Sequence, residues 1–208
     1  MRDSVFPRFP RPKAAILAAA LLMLSIMAFA QSAGTRPPDA PPSAQNTVSW
    51  TNVSEAFARA GMPLLANKVS IIDFSLPLIG GKQVSLAGLS GKVVFLNFWA
   101  TWCPPCRAEM PAMEKLYQRF KNDGLEFLAV NLQEDEKTVA TFLKANGLNF
   151  PVALDRKGQT PSLYGVRGIP TTYVVDRSGV IIAMVVGGRE WDSQAMMDAF
   201  SLLLQYGR

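Results

Sequence analysis

The 208-residue chain contains no histidine. This absence excludes Ser-His-Asp and Cys-His catalysis, zinc or haem sites with histidine ligands, and a histidine proton switch. Cysteine is scarce too, and the two cysteines present cannot complete a structural zinc site by themselves. A proton acceptor for thiol chemistry must therefore be a carboxylate, a lysine, water or a partner. We expect no metal and no cofactor other than the cysteine pair itself.

Most of the chain also lacks an excess of charge. The net charge is +5, but four of the 21 basic residues and one of the 16 acidic residues lie in residues 1–13, which leaves +2 for the remainder. This balance argues against nucleic acid as a partner. Apolar residues make up 49% of the chain and charged residues 18%, which predicts a packed core rather than global disorder.

The first 30 residues are typical of a segment that directs export. After the basic stretch comes an uncharged apolar run, residues 14–30, which ends in Ala28-Phe29-Ala30. A signal peptide has this organisation, with cleavage expected before Gln31. Because 17 residues are also close to the shortest membrane-spanning helix, an uncleaved membrane anchor at 14–30 is the alternative. Both interpretations place the rest of the chain in the periplasm or on the extracytoplasmic face of the cytoplasmic membrane.

Residues 31–66 are expected to connect this segment to a folded domain. Four prolines among small and polar residues predict a semi-extended linker up to about residue 46. A short amphipathic helix is predicted over residues 50–66, with Ser54 as its N-cap. The domain itself is predicted to span residues 67–208.

Within the domain, Val93–Trp99 is a nearly continuous apolar run, as in a strand covered by helices on both faces. Before this run, two short strand candidates flank Gly80-Gly81 and predict a hairpin. After it, helical and strand patterns alternate, and two further strands precede a last helix. The order predicts an α/β fold with a mixed central sheet flanked by helices, an N-terminal β-hairpin and a central αβ insertion. The strand candidates are residues 69–76, 83–86, 93–99, 126–132, 150–154, 171–175 and 180–186.

Both cysteines lie where the apolar strand gives way to a helical pattern, in Cys103-Pro104-Pro105-Cys106. A thiolate is the nucleophile in disulfide exchange, and a helix N-terminus favours the ionised thiol at Cys103. The two prolines lack N–H groups, which leaves the N–H of Cys106 as the nearest donor to that sulfur. We therefore expect Cys103 to be the exposed attacking thiol and Cys106 the buried resolving thiol. A purely structural disulfide is the alternative, although a bridge over so short a loop stabilises little.

The stretch Leu96-Asn97-Phe98-Trp99-Ala100-Thr101-Trp102-Cys103-Pro104-Pro105-Cys106-Arg107-Ala108-Glu109-Met110-Pro111 resembles the active site of the TlpA/ResA-like thiol–disulfide oxidoreductases of the thioredoxin superfamily. The similarity continues in Gly168-Ile169-Pro170-Thr171-Thr172 and in Asp73-Phe74-Ser75-Leu76-Pro77. This resemblance implies a thioredoxin fold and reduction of protein disulfides outside the cytoplasm, often those of apocytochrome c. It also implies a membrane thiol–disulfide electron carrier that reduces the oxidised cysteine pair again.

The resemblance also assigns individual residues. Ile169-Pro170 matches the cis-proline that faces the cysteines, and the backbone of Ile169 is expected to pair with a substrate strand. Asn97 stands where thioredoxins proper have a buried aspartate, and an asparagine cannot accept a proton. Glu109, three residues after Cys106, matches a glutamate that this family places near the cysteines, and in a chain without histidine it is the candidate acid/base for Cys106; a solvated helix glutamate is the alternative. Trp102 is expected to shield the sulfur or contact the substrate.

The residues leave three other functions open. The cysteine pair could introduce disulfides rather than reduce them, because direction depends on the reduction potential relative to that of the compartment. A thiol peroxidase of the related redoxin group would have a lone reactive cysteine after Thr-x-x, whereas Thr101 precedes Cys103 by only two residues. A binding domain without enzymatic activity is the third alternative.

Overall fold

The computed structural model describes residues 48–207 of the chain. Among these residues, six of the eight strands form one sheet; the first helix precedes all of the strands, the last helix follows them, and the other helices lie between strands in sequence. In chain order the elements are α1 (Trp50–Arg59), β1 (Val69–Ser70), β2 (Ser75–Pro77), β3 (Gln83–Ser85), a 3-10 turn (Ala87–Leu89), β4 (Val93–Trp99), α2 (Pro104–Phe120), β5 (Leu125–Leu132), α3 (Glu136–Ala145), β6 (Val152–Asp155), α4 (Thr160–Leu163), β7 (Thr171–Val175), β8 (Val180–Val186) and α5 (Gln194–Gln205).

The central sheet has the strand order β1-β8-β7-β4-β5-β6. Strands β4, β5 and β6 are parallel, and β7 runs antiparallel to β4 and to β8. Every residue of β4 is buried, because this strand lies inside the sheet with side chains packed on both faces. The predicted mixed sheet flanked by helices is confirmed, including the α3–β6 insertion next to β5.

Side chains that alternate along β4 divide the core into two layers. Phe95 and Trp99 point into the larger layer, where they meet residues of α1, α2 and α5. Leu96 and Phe98 point to the opposite face and pack with residues of β5, β7 and the β2–β3 hairpin. The period of two along a strand explains this division. Asn97, on the same face as Phe95 and Trp99, is the polar residue that β4 carries into the core.

The first predicted strand is divided in the structure. Residues 69–70 form β1 and join β8 in the central sheet, whereas residues 75–77 form β2 and pair with β3. Between them, the Tyr164 hydroxyl accepts from the N–H of Ile72 at 3.2 Å and donates to its carbonyl at 2.5 Å. Backbone groups that bond a side chain in this way are not available to a neighbouring strand, so the strand is interrupted.

Helix α1 belongs to the folded domain, whereas the sequence places it in the segment before residue 67. Its N-cap is Ser49 in a capping box with Asn52, rather than Ser54. Val53, Ala56 and Phe57 are buried, and the Phe57 ring packs edge-on against Phe200 of α5 at 5.5 Å. The amphipathic pattern predicts the helix, but it does not indicate which surface the apolar face covers.

The expected signal peptide or anchor at 1–30 and the linker at 31–46 lie outside the described residues. None of the helices within residues 48–207 has the length and hydrophobicity needed to cross a membrane.

Candidate active site

Cys103 and Cys106 are joined by a disulfide at the start of α2. Cys103 is the N-cap residue, and the backbone N–H of Cys106 points at its Sγ atom from 3.3 Å. This is the donor expected from the sequence, since Pro104 and Pro105 occupy the first turn of the helix. A helix N-terminus and this N–H both favour negative charge on the Cys103 sulfur.

The exposure of Cys103 differs from the prediction. In this disulfide form Cys103 is 3% exposed and Cys106 is fully buried. Cys103 is nearly buried because the loop that contains Ile169 packs against it, with the Ile169 carbonyl oxygen 3.6 Å from its Sγ atom. Cys103 is still the more exposed residue of the two.

The loop before β7 brings the expected substrate-binding residues to the cysteine pair. The Ile169-Pro170 peptide bond is cis, as the resemblance implies. Gly187 donates its N–H to the Pro170 carbonyl at 2.8 Å, which fixes this loop to the end of β8. Trp102, directly before Cys103, is 66% exposed and presents an indole ring to solvent beside the disulfide. Ile169 thus contacts Cys103 directly, the buried Pro170 follows Ile169, and Trp102 adjoins Cys103 in the chain.

Glu109 lies one helical turn after Cys106 on the buried side of α2 and is 3% exposed. Three donors contact its carboxylate. Asn97 Nδ2 donates to Oε1 at 3.1 Å, while the Arg189 backbone N–H and Trp191 Nε1 donate to Oε2 at 3.1 and 2.9 Å. The alternative of a solvated helix glutamate does not describe this residue. Asn97 also donates to Thr172 Oγ1 at 2.8 Å, so the amide is held between β7 and the carboxylate.

Burial raises the pKa of Glu109 from 4.5 to about 7, and the hydrogen bonds from Trp191, Arg189 and Asn97 oppose this rise only in part. An acid with such a pKa is present in both protonation states near neutral pH. It can therefore accept and return a proton efficiently under those conditions. In a chain without histidine, this carboxyl supplies the kind of group that histidine supplies elsewhere.

A groove of about 420 Å³ reaches the Glu109 side chain from the surface. It passes between the first turn of α2 and the segment that follows β8, and it gives the carboxyl a route for exchanging a proton with water. The groove is lined by Pro105, Ala108, Glu109, Gly188, Arg189 and Glu190.

Glu134, after β5, fixes the loop that leads to Cys103. Its carboxylate accepts hydrogen bonds from the backbone N–H and the hydroxyl of Thr101, and from Asn131 Nδ2 at 2.7 Å. Glu134 and Trp191 are not predicted from the sequence as parts of the site. Each contacts residues far away in sequence, and no local motif marks either one.

The described part of the chain contains no group of three or more acidic or cysteine side chains arranged to hold a metal ion. The cysteine pair can carry out thiol–disulfide exchange, and the buried carboxyl of Glu109 is the candidate proton acceptor.

Residues 68–184 match the AhpC/TSA family. The thiol-disulfide oxidoreductase ResA of Halalkalibacterium halodurans is 41% identical over 158 residues, which cover 76% of this chain and 87% of the relative. ResA of Bacillus subtilis is also 41% identical, over 62% of this chain and 72% of the relative.

Solved structures show a similarity to proteins of the same kind. A protein of Chlorobium tepidum assigned as thiol:disulfide interchange protein DsbE superimposes with a TM-score of 0.61 at 39% identity, over 67% of this chain and 99% of that protein. StoA of Bacillus subtilis superimposes with a TM-score of 0.53 at 29% identity, over 66% and 98% of the two chains. From its sequence and its fold, this chain belongs to the AhpC/TSA family and, within it, to the ResA-like thiol–disulfide oxidoreductases.

Proposed function

We propose that this protein reduces disulfides of other proteins on the extracytoplasmic side of the cytoplasmic membrane, with apocytochrome c as a substrate. One observation carries the proposal. The Ile169 carbonyl oxygen lies 3.6 Å from Sγ of the disulfide-bonded Cys103, and the buried carboxyl of Glu109 lies one helical turn from Cys106. An electron donor outside the chain, a membrane thiol–disulfide carrier, returns the pair to its dithiol form.

The reaction begins with the reduced pair. The Cys103 thiolate attacks one sulfur of the substrate disulfide, forms a mixed disulfide, and displaces the other substrate sulfur as a thiolate. Glu109 then takes the proton of Cys106. The Cys106 thiolate attacks Cys103 Sγ, the mixed disulfide breaks, and the second substrate sulfur leaves as a thiolate. Two electrons pass to the substrate, and Glu109 returns its proton to the released thiolate or to water in the groove.

Substrate recognition is assigned to the surface around Cys103. The exposed Trp102 ring offers an apolar contact to a segment that carries the substrate disulfide. The Ile169 carbonyl, 3.6 Å from Cys103 Sγ, lies where the backbone of an extended substrate segment would run. Backbone pairing of this kind recognises an extended chain without requiring one particular sequence.

Residues 1–30 support the location, either as a cleaved signal peptide or as a membrane anchor at 14–30. The near-neutral charge of residues 14–208 gives no basis for nucleic acid as a partner. Peroxidase chemistry is less well supported. The two cysteines lie one turn apart and bond to each other, and the relatives described above carry the names of disulfide-exchange proteins.

The test is to trap the mixed disulfide in the native host. Cys106→Ser leaves the attacking thiol but removes the group that releases the substrate, so covalent adducts should accumulate. Cys103→Ser is the matched control and should accumulate none. Apocytochrome c among the adducts supports the full proposal. If the adducts contain only other exported proteins, those proteins are the substrates instead of apocytochrome c. The absence of any adduct contradicts disulfide exchange. A redox titration of the pair then separates a reductant from an oxidant.

A further inference from the structure

The segment between β8 and α5, residues 187–193, contacts the candidate site at two points. At its start, the Gly187 N–H donates to the Pro170 carbonyl at 2.8 Å. Further along, the Arg189 N–H and Trp191 Nε1 both donate to Glu109 Oε2. One short segment therefore holds the substrate loop and the candidate proton acceptor together.

Trp191 is held rigidly within this segment. The residue is fully buried, and its ring packs edge-on against Phe95 with the ring centroids 4.8 Å apart. The next residue, Asp192, forms an ion pair with Lys115 of α2 at 2.6 Å. In this position the indole N–H donates to Glu109 Oε2 at 2.9 Å.

We propose that Trp191 is a positioning residue for Glu109. Its indole N–H holds Oε2 and stabilises the ionised carboxyl, so that Glu109 is ready to accept the proton of Cys106. This role rests on the proposed function, in which Glu109 is the proton acceptor. Removal of the N–H would leave a buried carboxylate short of one donor, and such a group favours its protonated form.

The other groups that face Glu109 do not replace this donor. From β4, Asn97 bonds the other oxygen, Oε1, and Thr172 of β7 bonds the Asn97 amide rather than Glu109. On α2, Cys106 is in the disulfide and Arg107 is exposed.

From the segment, Arg189 offers its backbone N–H. Its guanidinium extends toward Gly61, just after α1. Nη1 is 3.1 Å from the point where a Cβ atom would lie if residue 61 carried one. Glu190 lines the groove to solvent, and Asp192 pairs with Lys115.

The composition of the chain makes this proposal directly testable. The chain has no histidine, and both cysteines are bonded in the oxidised protein. A side chain that titrates near pH 7 in the oxidised protein is therefore assigned to Glu109, and Glu109→Gln must abolish that titration. The terminal amino group, which titrates slightly higher, is unaffected by the substitution.

The first measurement needs no change at Trp191. The chain has four tryptophans, and NMR spectra of the Trp50→Phe, Trp99→Phe and Trp102→Phe variants assign the Trp191 indole N–H by exclusion. We expect its chemical shift to follow the pH with a midpoint near 7 in the wild type, and to stay constant in Glu109→Gln. A constant shift in the wild type, with Glu109 itself still titrating, would overturn the proposal.

The second measurement follows the Glu109 carboxyl carbon in Trp191→Phe. Loss of a hydrogen bond to an ionised group should move the midpoint upward by about one pKa unit or more. Trp99→Phe is the matched control, because Trp99 is also fully buried and its Nε1 has no partner among the described residues. The control should leave the midpoint in place. Equal shifts in both variants, or no shift in Trp191→Phe, would contradict a specific role for Trp191.

The third measurement separates this proposal from the proposed function. In Trp191→Phe, the rate at which Cys106 resolves a mixed disulfide with a small thiol should fall about five-fold at pH 7. The reason is that a rise of the Glu109 pKa by one unit leaves about a tenth of this carboxyl ionised at pH 7. The rate should recover above pH 9, where the carboxyl is ionised in both proteins. If the carboxyl midpoint moves while the rate does not, Trp191 tunes Glu109 but Glu109 is not the proton acceptor. If neither changes, the positioning role itself is wrong.

Discussion

Glu109 is only 3% exposed, and its two carboxylate oxygens together accept three hydrogen bonds. The donors lie on β4 and on the segment that follows β8. Those donors do not fully offset desolvation, so the pKa of Glu109 lies at about 7 rather than 4.5. Between these two values the folded chain holds a proton that the unfolded chain has released. Stability must therefore fall as the pH rises through this window, and the loss is complete above the folded pKa.

Glu109→Gln is expected to remove this pH dependence. A rise of the pKa from 4.5 to about 7 corresponds to about 3 kcal/mol of unfolding free energy lost by the wild type between pH 4.5 and 8. Urea unfolding of the oxidised chain at pH 5 and pH 8.5 measures the difference. Glu114→Gln on the same helix is the control: desolvation raises the pKa of Glu114, but hydrogen bonds from Asn149, Gln118 and Phe150 together outweigh it, so that this pKa is lowered rather than raised. A wild-type stability that does not decrease would contradict the raised pKa.

The residues of the site divide according to how far apart in sequence their partners lie. Cys103, Cys106 and Glu109 lie within two turns of one helix, so the motif that contains the cysteines also predicts the carboxyl. Trp191 is 82 residues away from Glu109, and Glu134 is 33 residues away from Thr101. Only the folded sheet brings such pairs together, which is why a single sequence predicts the acid and not the groups that hold it.

Among the elements, helix α5 ends in an arrangement that no local signal predicts. Arg177, in the turn between β7 and β8, donates from Nη1 to the Tyr206 carbonyl and from Nη2 to the Leu204 carbonyl, both at 2.7 Å. The last carbonyls of a helix have no partner within the helix, and a cation near them is favoured by the helix dipole. The sequence predicts the two strands on either side of this turn and the last helix, but not this contact between the turn and the helix.

Arg177→Gln is expected to lower the free energy of unfolding by about 2 kcal/mol, since the charge-assisted hydrogen bonds to the carbonyls of Leu203, Leu204 and Tyr206 are lost. The midpoint of urea unfolding should decrease with no change in its slope. Arg156→Gln is the matched control: the Arg156–Glu136 ion pair is exposed on both sides and should contribute at most about 1 kcal/mol. Equal losses in the two variants would show that Arg177 does not act as a cap.

At the scale of the whole molecule, the sequence predicts the central architecture because the strongest signals belong to it. The apolar run of β4 predicts a strand buried on both faces, and the alternation of helices and strands predicts a mixed sheet; both are observed. The limits of the domain were harder to predict. Helix α1 precedes the β2–β3 hairpin and the whole central sheet, and its contact with α5 joins the two ends of the described chain.

The two candidate starting points of the domain, residue 46 and residue 67, predict different stabilities. Val53, Phe57 and Met62 are each at most 1% exposed, and removing them would uncover the apolar face of α5. Burial of a large apolar side chain contributes about 1.5–3 kcal/mol. A chain that begins at residue 67 should therefore be at least about 5 kcal/mol less stable than one that begins at residue 46. A loss of that size approaches the entire stability of many domains.

Guanidinium unfolding of the two chains in oxidised form measures this difference, and binding of a hydrophobic dye reports the uncovered face of α5. Phe57→Ala in the longer chain should be intermediate, with a loss of about 3–5 kcal/mol, because it removes one buried ring and leaves the helix. If residues 67–208 unfold at the same guanidinium concentration as residues 46–208, then α1 lies on the domain without stabilising it, and the boundary at 67 is the correct one. If they unfold far earlier, the thioredoxin-like domain of this protein requires a helix that lies before its first strand.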